Sequence, residues 1–207
     1  PQAGGLYSQV IVNTLTDRQA TRRAVIEQMQ VFSTEVGPRD IGILFFAGHG
    51  LNSTDGHYYF LPHDADHHRL AQTGIPEQVL QNTLGRMRGR ALLFVDTCFG
   101  GAALSRSGST ELARLANNLS ATENGVVVFA SSSGRQVSEE KDAWGNGAFT
   151  KAVLAGLAGS ADLTRTGRIT FKGLDFYVSE EVRKLTEGRQ TPVRISRAGV
   201  PDFTLAR

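Results

Sequence analysis

Apolar and polar positions along the chain follow two different periods, and their alternation predicts strands separated by amphipathic helices. Mostly apolar runs, which are typical of strands buried on both faces of a sheet, occupy residues 41–46, 91–95 and 126–130. Between these runs, apolar residues recur at helical spacing, as in Val25 and Met29. The pattern predicts an α/β fold with a mostly parallel sheet covered by helices on both faces.

Shorter signals complete the predicted order of elements. Residues 9–14 are predicted to form a short first strand. Thr16 and Gln19 have the spacing of a capping box, which predicts that the first helix begins there. Pro76 is expected in the first turn of the next helix. The other predicted elements are extended segments at 58–61 and 193–196 and helices marked by Leu80, Leu84 and Met87, by Leu112, Leu115 and Leu119, by Phe149, Val153 and Leu157, and by Leu174, Val178, Val182 and Leu185.

The composition limits the classes of function. A chain of 207 residues suits one sizeable core and is too short for two domains of average size. No apolar stretch approaches the roughly 20 residues that span a bilayer, and the net charge of +2 gives little support to nucleic-acid binding. The single cysteine excludes an intrachain disulfide and a zinc site built from several thiolates. Because the chain begins at Pro1 without a signal-peptide pattern, we expect a processed or trimmed piece.

That single cysteine, Cys98, stands where a nucleophile is expected. It follows the apolar run 91–95 at a predicted turn, while His49 lies between two glycines just after the run 41–46. Because the carboxyl ends of parallel strands meet at one edge of a sheet, we expect the imidazole and the thiol at that edge. An imidazole favours the nucleophilic thiolate, and the N–H groups of Gly50 and Cys98 would form an oxyanion hole. The structural alternatives are a small buried core cysteine and a histidine bonded to a backbone carbonyl.

The sequence does not support two other classes of protein, because each needs a residue that this chain lacks. A cysteine phosphatase needs an arginine six residues after its nucleophile, where this chain has Leu104. A dinucleotide-binding turn needs a third glycine after the Gly48-His49-Gly50 segment, and none follows at the required spacing.

Several segments resemble the caspase-like cysteine peptidases. Residues 45–50 (FFAGHG) are similar to the strand that carries the catalytic histidine in that family, and residues 93–101 (LFVDTCFGG) to the strand that carries the cysteine. The separation of the two fits the family spacing of about 50 residues. Residues 58–66 and 147–157 are also similar, and the closest subgroup looks like the bacterial orthocaspases, or metacaspase-like proteins.

The resemblance implies a caspase-like sandwich and one peptidase domain over residues 1–207. Its large-subunit-like part would cover residues 1–104 and its small-subunit-like part residues 120–207, with a mobile loop between them. The first strand and first helix of the family fold have no counterpart before Gln9. A missing N-terminal segment, or a second chain, is therefore expected to complete the fold.

The implied activity is hydrolysis of peptide bonds by a His49/Cys98 dyad. Asp96 decides the expected specificity, since metacaspase-like enzymes with aspartate at this position cut after Arg or Lys. The alternative for Asp96 is a strand-end carboxylate that caps the following turn, and both roles can coexist. Substrate-binding roles are implied for a further group of residues: Ala47, Ser131, Ser132 and Trp144. Trp144 has an equal alternative role as an anchor of its loop to the core.

No metal site or cofactor is predicted, although the resemblance keeps calcium open because several metacaspases need it. The cluster between His63 and His68 lacks the spaced acids of a calcium shell, and a solvated loop is the favoured interpretation. The expected partner is a polypeptide with a basic residue before the cut, and the expected location is the cytoplasm. Arg106 and Arg114 are candidate self-cleavage sites. The competing hypothesis, favoured by the altered Phe99 and the missing strand, is a caspase-like scaffold or regulatory domain with little turnover.

Overall fold

A six-stranded mixed sheet forms the centre of the protein. The structure is a computed structural model and describes residues 6–53, 57–98, 126–132, 136, 138–141, 144–145, 147–196 and 199–207, with the backbone alone at Cys98. The strands are β1 (Ile41–Asn52), β2 (Tyr58–Leu61), β3 (Ile75–Pro76), β4 (Arg90–Cys98), β5 (Val127–Ala130), β6 (Ile169–Thr170), β7 (Val193–Ser196) and β8 (Thr204–Ala206). The central sheet has the order β3-β2-β1-β4-β5-β7, and β6 and β8 form a separate pair. The helices are α1 (Arg22–Glu35), α2 (Leu70–Thr73), α3 (Glu77–Arg86), α4 (Ala148–Ala155) and α5 (Phe171–Leu185).

The three central strands run parallel to one another. β4 pairs in parallel with β1 on one side and with β5 on the other, whereas β2, β3 and β7 join the outside of the sheet as antiparallel strands. Phe94 on β4 matches Phe45 and Phe129 in register, with ring centroids 6.0 Å and 4.9 Å away respectively. The predicted α/β sheet is thus confirmed, with its parallel strands in the core.

Helices cover both faces of this sheet. Alternation along β4 sends Leu93 and Val95 into the apolar cluster under α1 and α3, and Leu92 and Phe94 into the cluster under α4 and α5. Because β4 is covered on both faces, a continuous apolar run is the sequence that such a strand needs. The helix residues that fill the two clusters include Met29, Leu80 and Leu84 on one face and Phe149, Val153, Leu174 and Val178 on the other.

The first helix begins later than the capping-box pattern predicts. The Thr16 side chain makes no capping bond, and Asp17 has a φ of 49°, so Asp17–Gln19 forms an isolated 3-10 turn. α1 begins at Arg22 because the Thr21 hydroxyl accepts the Ala24 N–H at 3.3 Å. The predicted helix start at Thr16 is therefore wrong.

The predicted strand at residues 9–14 is also wrong. This segment has no regular secondary structure, and Val10, Ile11 and Val12 are exposed. A strand needs a neighbour that bonds its backbone N–H and C=O groups. No strand in the described part of the chain provides those bonds to residues 9–14.

The two strands that carry the candidate catalytic residues are longer than their apolar runs. β1 continues to Asn52 and β4 continues to Cys98, so Asp96 lies in a strand and not in the predicted turn. The extra residues of β4 are held by parallel pairing with residues 47–49 of β1. Backbone pairing thus extends both strands beyond the point where the apolar pattern stops.

β1 has an open edge over most of its length. Its residues 41–48 pair with β4 on one side, and β2 joins the other side only from His49 onwards. Ile43 and Phe45 on this strand are 45% and 43% exposed. Within the described ranges, no strand covers this edge, a feature that native sheets generally protect.

Some predicted features lie outside the described residues. They are the helix marked by Leu112, Leu115 and Leu119, the junction between the two subunit-like parts, the altered Phe99 and the candidate self-cleavage sites Arg106 and Arg114.

The stack of three phenylalanine rings predicts a large loss of stability on truncation. Phe94 is 1% exposed between two rings, so Phe94→Ala should lower the free energy of unfolding by about 3–5 kcal/mol. The matched control is Phe176→Ala on α5, where the ring is 60% exposed and the expected change is within about 0.5 kcal/mol. Chemical denaturation measures both, and equal losses would contradict this description of the core.

Candidate active site

The parallel pairing of β1 with β4 brings the predicted catalytic residues together at one end of the sheet. His49 is in register with Cys98, and Ala47 is in register with Asp96. Neighbouring strands lie about 4.8 Å apart, so the backbones of His49 and Cys98 are direct neighbours. Gly48 has a φ of 154°, which side chains rarely adopt, and this explains the need for glycine just before the histidine.

The imidazole-bearing strand is exposed on the side where a substrate would approach. Ala47 and His49 are both exposed, whereas Gly50 is buried. A Cβ atom on Gly50 would overlap the hydroxyl of Tyr58, so packing requires glycine here. That hydroxyl is hydrogen-bonded to the Thr97 hydroxyl at 2.8 Å, and both side chains are buried.

The bond between Tyr58 and Thr97 therefore ties β2 to β4 across β1. It lies at the level of His49, because Thr97 precedes Cys98 by one residue. The apolar pattern does not reveal this contact, since the two hydroxyl groups are 39 residues apart along the chain. Tyr58 belongs to a predicted extended segment, but the role of its hydroxyl has no signal in the sequence.

Asp96 is a partly buried carboxylate on the α4 side of the sheet. The Thr150 hydroxyl and the Thr150 N–H, at 3.3 Å, both donate to its Oδ2 atom. The Ser131 hydroxyl is close enough to lower the pKa of the carboxylate by hydrogen bonding. Burial raises the pKa of Asp96 above its ordinary value, against the effect of these hydrogen bonds, and the charge of Glu140 raises the pKa further. The site thus holds a carboxylate that lacks a cation among the described residues.

The two predicted substrate-binding serines are completely buried. The Ser131 N–H donates to the Val95 carbonyl at 2.9 Å, and the Ser131 hydroxyl lies 2.6 Å from that of Ser138. Ser132 has a buried hydroxyl without a hydrogen-bond partner among the described residues. Ser131 is therefore brought to Asp96 as part of its immediate surroundings.

Trp144 is held against the protein. Its side chain packs on the apolar cluster under α4 and α5, and the Lys141 ammonium lies 4.6 Å from the ring centroid. The Trp144 N–H also donates to the Lys141 carbonyl at 2.8 Å. These contacts favour the anchoring role over a role in covering a substrate side chain.

Further residues surround Asp96 in the structure. Glu140 forms an isolated antiparallel bridge with Gly147, where an added Cβ atom would lie 3.1 Å from the Asp96 Oδ2 atom. Thr150 reaches Asp96 from the first turn of α4. These residues lie 44 or more positions from Asp96 in the sequence, and the fold brings them to it.

The acidic residues near His63 serve the local backbone. Asp64 accepts the Arg22 N–H at 2.7 Å, and Asp66 accepts the His68 N–H at 2.9 Å and the Arg69 guanidinium at 2.8 Å. These bonds lower the pKa of Asp66, with the Arg69 bond as the largest cause. Among the described residues, no three His, Cys, Asp or Glu side chains group to hold a metal ion.

None of the described helices has the length and apolar character required to cross a membrane.

The fold and the register define a class of α/β protein in which neighbouring parallel strands present a histidine and a cysteine at their carboxyl ends. Residues 5–200 match the family model of the caspase domain, Peptidase C14, and the chain belongs to this family. The predicted resemblance to caspase-like cysteine peptidases is thereby confirmed.

A solved structure of similar fold supports this assignment of the architecture. The crystal structure of protein GSU0716 from Geobacter sulfurreducens superposes with a TM-score of 0.61 at 19% sequence identity, covering 94% of this chain and 77% of that chain. At this identity the likeness shows the fold alone. No curated protein matches the chain significantly.

The raised pKa of Asp96 predicts how Asp96→Asn changes stability with pH. Since the folded pKa lies above the unfolded value, the folded state binds more protons between the two, and the wild type loses stability as pH rises through that window. The asparagine amide does not ionise, so this pH-dependent loss of stability is absent from the variant. The melting temperature of Asp96→Asn relative to wild type should therefore rise from about pH 4 to pH 7. Thermal unfolding at several pH values tests this, and a difference that falls with pH would contradict it.

Proposed function

We propose that the chain is a cysteine endopeptidase that cleaves peptide bonds after Arg or Lys by means of a His49/Cys98 dyad. The observation that carries the proposal is the β1–β4 register, which makes His49 and Cys98 neighbours and places Asp96 two residues before the cysteine. Membership of the caspase-domain family supports the same reaction class.

In the proposed reaction, the Cys98 thiolate adds to the scissile carbonyl carbon and the carbonyl oxygen becomes an oxyanion. The N–H groups of Gly50 and Cys98 stabilise this oxyanion, and the intermediate collapses as the C–N bond breaks. His49 gives a proton to the departing amine, and the acyl group remains on the Cys98 sulfur as a thioester. His49 then takes a proton from water, whose oxygen attacks the thioester; the C–S bond breaks, the acid product leaves, and the Cys98 thiolate and the His49 imidazolium are restored.

The proposed specificity depends on Asp96. A guanidinium or ammonium group would supply the cation that this partly buried carboxylate lacks among the described residues. Both bonds from Thr150 go to the Oδ2 atom. The Glu140 carboxylate adds negative charge nearby. Asp96 also accepts the Thr150 N–H in the first turn of α4, a contact different from the predicted cap of the turn that follows Asp96.

A reduced Cys98 is required for this chemistry, which fits the expected cytoplasmic location. The same proposal includes self-cleavage after Arg106 or Arg114. Comparing the intact masses of wild type and Cys98→Ala measures whether such a chain break depends on the Cys98 thiol.

The decisive experiment is a panel of fluorogenic peptides that end in Arg, Lys or Asp, with and without calcium or a chelator. Wild type should cleave the Arg and Lys peptides and leave the Asp peptide intact. Cys98→Ala and His49→Gln should reduce turnover to background, because the nucleophile or the proton donor is lost. Turnover that survives Cys98→Ala refutes the dyad, and no turnover of any peptide favours the scaffold hypothesis.

Asp96→Asn is the matched variant for specificity within the same panel. Removing the charge should raise KM for the Arg peptide by about 10- to 100-fold. Alkylation of Cys98 by iodoacetamide should continue at the wild-type rate, since the thiol is not altered. An unchanged KM would refute the pocket role of Asp96 and leave the dyad standing.

We also propose that a further extended strand pairs with the open edge of β1, as the expected missing segment or second chain would do. In a preparation of this chain alone, the strand available is that of a second copy. No strand among the described residues pairs with the second edge of residues 41–48, and this edge and the exposed side chains of Ile43 and Phe45 support the association.

Light scattering at increasing concentration measures this association. Wild type should self-associate, and Ile43→Lys should remain monomeric because a charge on an edge strand opposes pairing. Leu163→Lys is the matched control, since Leu163 is exposed to a similar extent in the loop before β6. A monomeric wild type, or equal effects of the two substitutions, would contradict pairing with a second copy.

A further inference from the structure

Gln190 connects two segments of the chain that flank Asp96. Its side chain is fully buried just beyond α5. The amide N–H donates to the Ser131 carbonyl at 2.8 Å, and the amide oxygen accepts the Glu139 N–H at 2.8 Å. One side chain thus bonds two backbone segments at once, and only one orientation of the amide satisfies both of them.

Each of these segments leads directly to Asp96. The Ser131 N–H donates to the carbonyl of Val95, the residue before Asp96, at 2.9 Å, and the Ser131 hydroxyl is close enough to lower the pKa of the Asp96 carboxylate. On the other side, the Glu139 carbonyl accepts the Ala148 N–H at 2.9 Å, at the start of the helix whose Thr150 also donates to Asp96. Gln190 therefore connects the Ser131 side and the Thr150 side of the carboxylate through bonds to the backbone.

The position of Gln190 is itself determined by α5. The Thr186 hydroxyl accepts the Gln190 N–H at 3.1 Å and donates to the Val182 carbonyl at 2.7 Å. Thr186 is fully buried as well. On the exposed side, Arg189 holds the Glu139 carboxylate with bonds of 2.7 Å and 3.2 Å. Two consecutive residues just beyond α5, Arg189 and Gln190, thus hold Glu139.

We infer that Gln190 is a positioning residue that sets the separation between the two sides of the basic-side-chain pocket at Asp96. The inference rests on the proposed function, since it assigns Gln190 to the same pocket. A guanidinium binds a carboxylate well only in a restricted geometry, and small displacements of the surrounding groups weaken such binding. Gln190 acts through Ser131 and Glu139 and needs no contact with the substrate.

Gln190→Glu tests this inference with a side chain of the same size. Near neutral pH the introduced carboxylate cannot donate to the Ser131 carbonyl, so KM for the Arg peptide should rise about 10-fold with little change in kcat. On the Cys98→Ala background, calorimetry should show weaker binding of agmatine, a guanidinium probe. Gln28→Glu is the matched control, because Gln28 is exposed on α1 and its substitution should change neither quantity.

The pH profile separates positioning from a general loss of structure. Once protonated, the introduced carboxyl group can again donate to the Ser131 carbonyl, and burial raises the pKa of such a group. The ratio of KM between variant and wild type should therefore return toward unity as pH falls, while Asp96 titrates in both proteins. A pH-independent ratio would overturn the inference.

The remaining outcomes are distinct for the two proposals. If wild type cleaves the Arg peptide and Gln190→Glu has the same KM and agmatine affinity, the inference about Gln190 is wrong and the proposed function stands. If wild type neither cleaves basic peptides nor binds agmatine, the proposed function fails and the inference fails with it. Should Gln190→Glu not fold, Thr186→Val takes its place, and an unchanged KM in that variant would overturn the inference.

Discussion

The parallel pairing of β1 with β4 is the constraint on which the candidate site depends. It makes His49 and Cys98 neighbours although 48 residues lie between them in the sequence. A shift of one residue in this register would move every side chain of one strand to the opposite face of the sheet. The shift is prevented because β4 is buried on both faces and its alternating residues fill two separate apolar clusters. Core packing thus determines the geometry of the chemistry at the strand ends.

The most costly group in the site is the carboxylate of Asp96. Burial makes its charged form unfavourable, and its hydrogen bonds from Thr150 and Ser131 compensate only in part, since its pKa remains raised. A carboxylate kept in this state contributes little to folding at neutral pH, and binding a cation would relieve the cost. The cost of the buried charge, and its relief by a bound cation, is the physical basis of the proposed preference for Arg and Lys.

Much of the fold could be predicted from the sequence, and so could the central pair of site residues. The strands at 41–46, 91–95 and 126–130 are recognisable because strands covered on both faces need continuous apolar runs. The segments at 9–14 and 16–19 were predicted wrongly because their signals do not include the tertiary conditions that a strand or a helix start needs. Strand and capping signals are local, but a strand also needs a partner and a helix start needs compatible backbone angles, which Asp17 does not have.

The sequence by itself indicated the three central strands, the main helices, the family, and the candidate roles of His49, Cys98 and Asp96, because apolar periodicity and short motifs are properties of neighbouring residues. Only the tertiary structure decided what surrounds those residues. The bond of Tyr58 to Thr97, the contacts of Asp96 with Ser131 and Thr150, and the bridge made by Gln190 join parts of the chain 35 or more residues apart. Such contacts arise when separate elements pack on one sheet, and no local pattern encodes them.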